Sequence, residues 1–267
     1  MKKIAEITLE EKKYKIDLNK FYDLSIPITM DSKSPSFYDK KPLKIKYYKD
    51  RNGKVWNLNE GSSCNVPVID LNIHCGSTHS ECRSHITKEN IYISEILDNS
   101  FISCLLISLM PKNNIGNDTY HHNVDSNDFI INQLALKNKL DKFKNSNIKA
   151  LVVRTLPNDI DQIILKNYDN EPNSFFSNEA IKYLLSFGIE HLIVDTPSID
   201  KLNDGGNLGN HKIFWNLNKK GNKNTITELA IIKNEINDGL YLLCFNILNL
   251  RLDASPSRPI LYKINEI

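Results

Sequence analysis

Cysteine, methionine and tryptophan are scarce in this chain: five, three and two residues respectively. An odd number of cysteines at irregular spacing speaks against a disulfide framework and for reduced thiols, so a cytoplasmic setting is expected. Long apolar runs are lacking as well. The most apolar stretch, Cys104 to Met110, is far too short to span a bilayer, and Met1-Lys2-Lys3-Ile4-Ala5-Glu6 has no signal-peptide core. No membrane partner is expected. Nor is there an excess of charge of one sign, since the formal net charge is +2 and the lysines are scattered among Asn, Asp and Glu. That removes the electrostatic case for a nucleic-acid partner. The ten glycines and ten prolines form no linker, and there is no internal repeat. With 40% apolar residues, a chain of this length can form one domain or two, and with no linker dividing it a single domain over residues 1–267 is expected.

Periodicity points to an α/β fold. Phe101 to Met110 reads as a buried strand closed by Pro111, and Ala150 to Val153 and His191 to Asp195 read as two more. Leu134, Leu136, Leu140 and Phe143 stand at helical spacing over Asn132 to Phe143. Ser177 is placed to cap a helix through Phe187 that Gly188 stops. Helix followed by buried strand, twice, predicts partly parallel pairing. Ile226 to Ile232 and Leu240 to Leu248 read as late strands and antiparallel neighbours.

Chemistry concentrates in Ile73-His74-Cys75-Gly76-Ser77-Thr78-His79-Ser80-Glu81-Cys82-Arg83-Ser84-His85, which holds three of the seven histidines. On an extended strand His79, Glu81, Arg83 and His85 share one face. Unpartnered polar groups are costly to bury, so something polar must face that row, and a divalent metal with a water is the simplest candidate. His74 falls on the opposite face unless a bulge or turn at Cys75-Gly76-Ser77 brings it round. Cys75 and Cys82 with His79 make a poor structural zinc set, because Cys82 faces away from His79 on a strand. His121-His122, in a polar loop, and His191 are expected to lie outside the metal site. No G-x-S-x-G elbow surrounds Ser63, Ser77 or Ser198, and the Gly205-Gly206-Asn207-Leu208-Gly209-Asn210 loop lacks the lysine of a phosphate loop.

The histidine segment resembles the metal motif of the cyclase family, the kynurenine formamidases and isatin hydrolases, written H-x-G-T-H-x-D-x-P-x-H. Thr78-His79, Glu81 and His85 are in register. One extra residue separates His74 from His79, Glu81 replaces aspartate and Arg83 replaces proline. A divergent branch reading H-x-N-G-T-H-T-E-C-x-G-H fits better and includes Cys82. The resemblance continues through Asp23-Leu24-Ser25-Ile26-Pro27-Ile28, Asp195-Thr196-Pro197-Ser198, the glycine loop before His211, Glu228, and Asp253-Ala254-Ser255-Pro256-Ser257-Arg258-Pro259.

That resemblance implies a swivelling β/β/α fold with a mixed sheet and a homo-oligomer. It implies metal ligands at His74, His79, Glu81, His211 and Glu228, holding one or two ions of zinc or manganese. It makes His85 the proton shuttle and Ser198 a substrate-binding residue. Arg83, where the family has proline, is read from its own chemistry as either a fork for a substrate carboxylate or a surface salt bridge. The implied reaction is hydrolysis of a small-molecule amide, an aryl formamide or a cyclic amide. A metal-dependent lyase or cyclase on a carbonyl compound, or a non-catalytic binding protein on the same fold, are the alternatives.

Overall fold

The computed structural model describes residues 3–9, 11–29, 34–36, 38, 43–97, 101–144, 146–219 and 221–267; Met1 and Lys2 lie outside them. Strands β1 (Ile4–Leu9) and β2 (Lys12–Asp23) form an antiparallel hairpin. β3 (Leu43–Tyr47) and β4 (Pro67–Leu71) form a separate two-stranded ribbon that leads into the histidine segment. That segment is a helical turn α1 (Ile73–Gly76), a short strand β5 (His79–Glu81) and a 3-10 turn at Arg83–His85. There follow α2 (Ile93–Ile96), β6 (Phe101–Leu109), β7 (Ile130–Ile131), α3 (Gln133–Leu140), β8 (Ala150–Thr155), α4 (Ile160–Leu165), β9 (Phe175–Phe176) and α5 (Asn178–Phe187). The chain ends with β10 (His191–Val194), α6 (Gly209–Phe214), β11 (Thr225–Glu228), β12 (Gly239–Cys244), β13 (Ala254–Pro256) and β14 (Ile260–Glu266).

Ten of these strands form one mixed sheet in the order β1-β2-β14-β12-β6-β8-β10-β11-β5-β13. β6, β8, β10 and β11 are parallel, and the flanking pairs are antiparallel. Alternation along the parallel strands splits their side chains between two cores. Leu105, Ile107, Leu151, Val153 and Leu192 pack with residues of α3, α5 and α6. Cys104, Leu106, Ala150, Val152 and Ile193 face Leu24, Ala230, Ile232, Leu243 and Leu261. Burial on both faces is why these strands read as near-continuous apolar runs. The α/β class, the mixed sheet and the buried strands therefore match the sequence reading. So does α5: Ser177 Oγ accepts the Ala180 N–H at 3.1 Å, and Gly188 closes the helix at φ +95°.

Three details differ. Helix α3 ends at Leu140 with a 3-10 turn to Phe143, and Leu134 is 64% exposed rather than core-facing. Strand β11 stops at Glu228, because Leu229 turns to φ +55°. That strained residue is held by Thr78 Oγ1 donating to its carbonyl (2.6 Å) and by its own N–H donating to Thr196 O (3.0 Å). β11 and β12 are not neighbours either. β11 takes its antiparallel partner, β5, from far earlier in the chain.

Candidate metal centre

The histidine segment is not one continuous strand. The turn of α1 reverses His74, so its Nδ1 lies 3.2 Å from Glu81 Oε2. A helical turn thus does what a bulge was expected to do, and Gly76 sits inside it in helical conformation. Pairing of β5 with β11 sets His79 directly opposite Glu228. On the other side of that strand pair Ser80 Oγ and Thr227 Oγ1 close at 2.7 Å, which leaves the polar face to His79, Glu81 and Glu228. The sharp stop at Leu229 keeps Glu228 at the strand end, level with the pocket.

His79 is fully buried, and its Nδ1 donates to Ser77 O at 3.0 Å. In the neutral ring Nε2 therefore carries a lone pair. It has no hydrogen-bond partner, and it faces Glu228 Oε2 at 3.5 Å. Two buried acceptors facing each other need a proton or a metal cation between them. His211, on α6, repeats the pattern: Nδ1 donates to Asp200 Oδ2 (2.7 Å), while Nε2 faces Glu81 Oε1 (3.0 Å) and Glu228 Oε1 (3.4 Å). A carboxylate behind a ligating imidazole is the usual second layer of a metal site. The atoms of His79, Glu81 and Glu228, and those of His74, Glu81 and His85, lie within 4.8 Å of one another in each set. An all-nitrogen-and-oxygen donor set without thiolate suits Zn(II) or Mn(II) alike.

Without a cation, protons balance the carboxylates. His74 is pushed up to about 10; burial opposes this, but hydrogen bonds to Asp253 and Glu81 outweigh it. His211 is likewise raised well above the usual imidazole range, against its burial, by Asp200, Glu228 and Glu81. Glu81 is held well below the carboxylate range despite complete burial, by His85, His211 and His74.

His85 stacks on His74 with ring centroids 4.2 Å apart. Its Nδ1 donates to Asp253 Oδ2 at 3.0 Å, so in the neutral ring Nε2 carries the lone pair, 3.8 Å from Glu81 Oε2. Asp253 Oδ2 also lies 3.4 Å from His74 Nε2. Sequence reasoning missed Asp253 and Asp200 as members of the site. Asp253 stood in a motif already noticed and Asp200 lay two residues beyond Ser198 in another, and a carboxylate beside a histidine cluster was the available signal. A cavity of about 700 Å³ opens on His74, Glu81, His85, His211 and Glu228, with Tyr38 and Ser198 in its wall. Ser198 Oγ accepts the Asp200 N–H at 3.1 Å, which leaves its own proton to give.

Arg83 corrects the expectation of a substrate fork. The 3-10 turn buries it away from this cavity, donating to Lys219 O (2.6 Å), Glu89 Oε1 (2.7 Å) and Leu217 O (3.4 Å). Cys82 is buried among Ile93 and Ile96, and no disulfide links the cysteines among the described residues. His191 bonds Thr225 Oγ1 across β10 and β11 at 2.9 Å. Among the described residues no helix is long and apolar enough to cross a membrane.

The profile of the Cyclase family matches residues 22–201, two thirds of the chain. The chain belongs to the cyclase family. The matched stretch holds the histidine segment and Ser198, and it stops before His211, Glu228 and Asp253. No curated protein sequence matches significantly. Among solved structures, a potential metal-dependent hydrolase with cyclase activity superposes with a TM-score of 0.58 at 20% identity, over 91% of this chain and 97% of that one. Isatin hydrolase A from Labrenzia aggregata, bound to benzyl benzoate, gives 0.62 at 14% identity over 91% and 93%. An isatin hydrolase bound to the product analogue thioisatinate gives 0.61 at 14% identity over 92% and 93%. At these identities the likeness is one of fold: the cyclase fold carries this chain's histidines and carboxylates into one pocket.

Proposed function

We propose that this member of the cyclase family is a metal-dependent hydrolase of a small amide, an aryl formamide or a cyclic amide. The observation that carries the reading is the buried, partnerless Nε2 of His79 facing Glu228. His74, His79, Glu81, His211 and Glu228 would hold one or two ions. A divalent cation there supplies Lewis-acid polarisation of a carbonyl and lowers the pKa of bound water toward ~7.

The chain's own groups divide the remaining work. Asp253 fixes the His85 tautomer and leaves Nε2 to take a proton from the attacking water and return it to the leaving nitrogen. Ser198 can donate a hydrogen bond to the substrate from the cavity wall. Burial of His79 and Glu228 keeps competing water away from the donors.

The test is metal analysis of the purified protein, followed by a screen of N-formylkynurenine, isatin and simple anilides in ¹⁸O-labelled water. Incorporation of one labelled oxygen into the acid product supports hydrolysis. Product without label favours the lyase or cyclase reading, and bound metal without any turnover favours a binding protein. Loss of metal is expected in His79→Ala and His211→Ala, and full metal content in His79→Ala would refute the ligand set.

A further inference from the structure

Helix α6 carries His211, yet nothing at its own N-terminus can cap it. The cap position, Leu208, is left-handed at φ +47° and offers no side-chain acceptor. The orphan N–H groups of a helix start must find partners elsewhere when buried. Here they do so on two other segments. Asn210 N donates to Asp200 Oδ1 (3.0 Å), and His211 N donates to Asp200 Oδ2 (3.2 Å). Gly209 N donates to Nε2 of His121 (3.1 Å), a residue 88 positions earlier.

The His121 ring is fixed for that task. Its Nδ1 donates to Asn178 Oδ1 at 3.0 Å, at the start of α5, which leaves Nε2 as the acceptor. The ring is packed so closely on Gly209 that a Cβ built there would clash with it, so a larger residue would require the ring to shift. The same Nε2 sits 3.5 Å from Asp200 Oδ1 and 3.3 Å from Asp204 Oδ2. Asp204 in turn accepts the N–H groups of Gly206, Asn207 and Leu208, folding the loop that enters α6. Those three N–H groups make Asp204 a brace of the loop that enters α6.

We propose that His121 is a positioning residue for the metal centre: by capping α6 from outside, it holds His211 in register with Glu81 and Glu228. The inference rests on the metal-site reading above and revises the expectation that His121 has no part in it. Asp200 is the connecting group, because its Oδ2 takes both the His211 N–H and the His211 Nδ1 proton. Removing a partner behind a ligand typically lowers metal affinity about 10–100-fold.

The experiment is a Co(II) titration followed by visible absorption, whose ligand-field bands report coordination geometry, on wild type, His211→Ala, His121→Phe and His121→Gln. Phenylalanine fills the space of the ring but accepts no hydrogen bond; glutamine can present a carbonyl to Gly209. His121→Phe should bind Co(II) about 10–100-fold more weakly with altered bands, while His121→Gln should recover most of the affinity. Should His121→Phe fail to fold, His121→Ala, checked by circular dichroism, serves in its place. Wild-type affinity and bands in the folded Phe or Ala variant, with His211→Ala impaired, overturn this inference alone. Absence of Co(II) binding in the wild type overturns the metal-site reading itself.

Discussion

His85 offers the sharpest separation of chemistry from scaffold. Its side chain is 27% exposed at the cavity, so its removal leaves space open to solvent rather than a sealed void, and folding should survive. A positioned general acid or base is worth ~10²–10⁴-fold in rate, or ~3–5 kcal/mol of barrier. His85→Ala should therefore lose turnover by about that factor. It should keep its metal, because His74, His79, Glu81, His211 and Glu228 remain. His85→Gln, which can hydrogen-bond but cannot shuttle a proton, should be nearly as slow. Asp253→Asn tests the same pair from behind: it loosens the tautomer set by the 3.0 Å contact and should lower kcat more than it raises KM. The assay is turnover on the amide found by the screen, with elemental analysis of the same preparations. His74, Glu81 and His85 lie close enough to share one ion, so metal loss in His85→Ala would make His85 a ligand. Unchanged turnover in both His85 variants would remove the general-base role.

Three further outcomes follow from particular contacts. In the metal-free protein His74, at about 10, and His211 both carry protons at neutral pH, and an incoming cation must displace them. Apparent metal affinity should rise up to ~10-fold per pH unit for each proton displaced between pH 6 and 8, and a flat profile by calorimetry would contradict this. Asp195, buried and pushed up to about 7, binds its proton more tightly folded than unfolded. Its contribution to stability is full below the unfolded value near 4 and is lost as pH rises through about 7. Asp195→Asn should remove that slope, on the order of 4 kcal/mol, from urea-unfolding free energies between pH 4 and 7; an unchanged slope would count against it. Arg83→Met should destabilise by about 3 kcal/mol, because it strips a buried guanidinium from two carbonyls and Glu89. The same variant should leave KM unchanged, whereas a raised KM would restore Arg83 as a substrate contact.

The amino-acid sequence by itself carried whatever depends on local order. The buried runs of β6, β8 and β10, the Ser177 and Gly188 ends of α5, and the crowding of His74, His79, Glu81 and His85 in one segment all follow from neighbouring residues. The aligned motifs also marked His211 and Glu228. Only the tertiary structure decided how these groups meet. Nothing local told that β5 pairs with β11, which sets His79 opposite Glu228, because strand partners so far apart in the chain are chosen by the whole sheet. Nothing local showed the 3-10 turn that takes Arg83 out of the pocket and leaves His85 in it. The roles of Asp253, Asp200 and His121 were hidden for the same reason. Asp253 and His121 act through hydrogen bonds to residues far away in the chain, and Asp200 through one across a loop to His211, and such partners exist only once folding has brought them into contact.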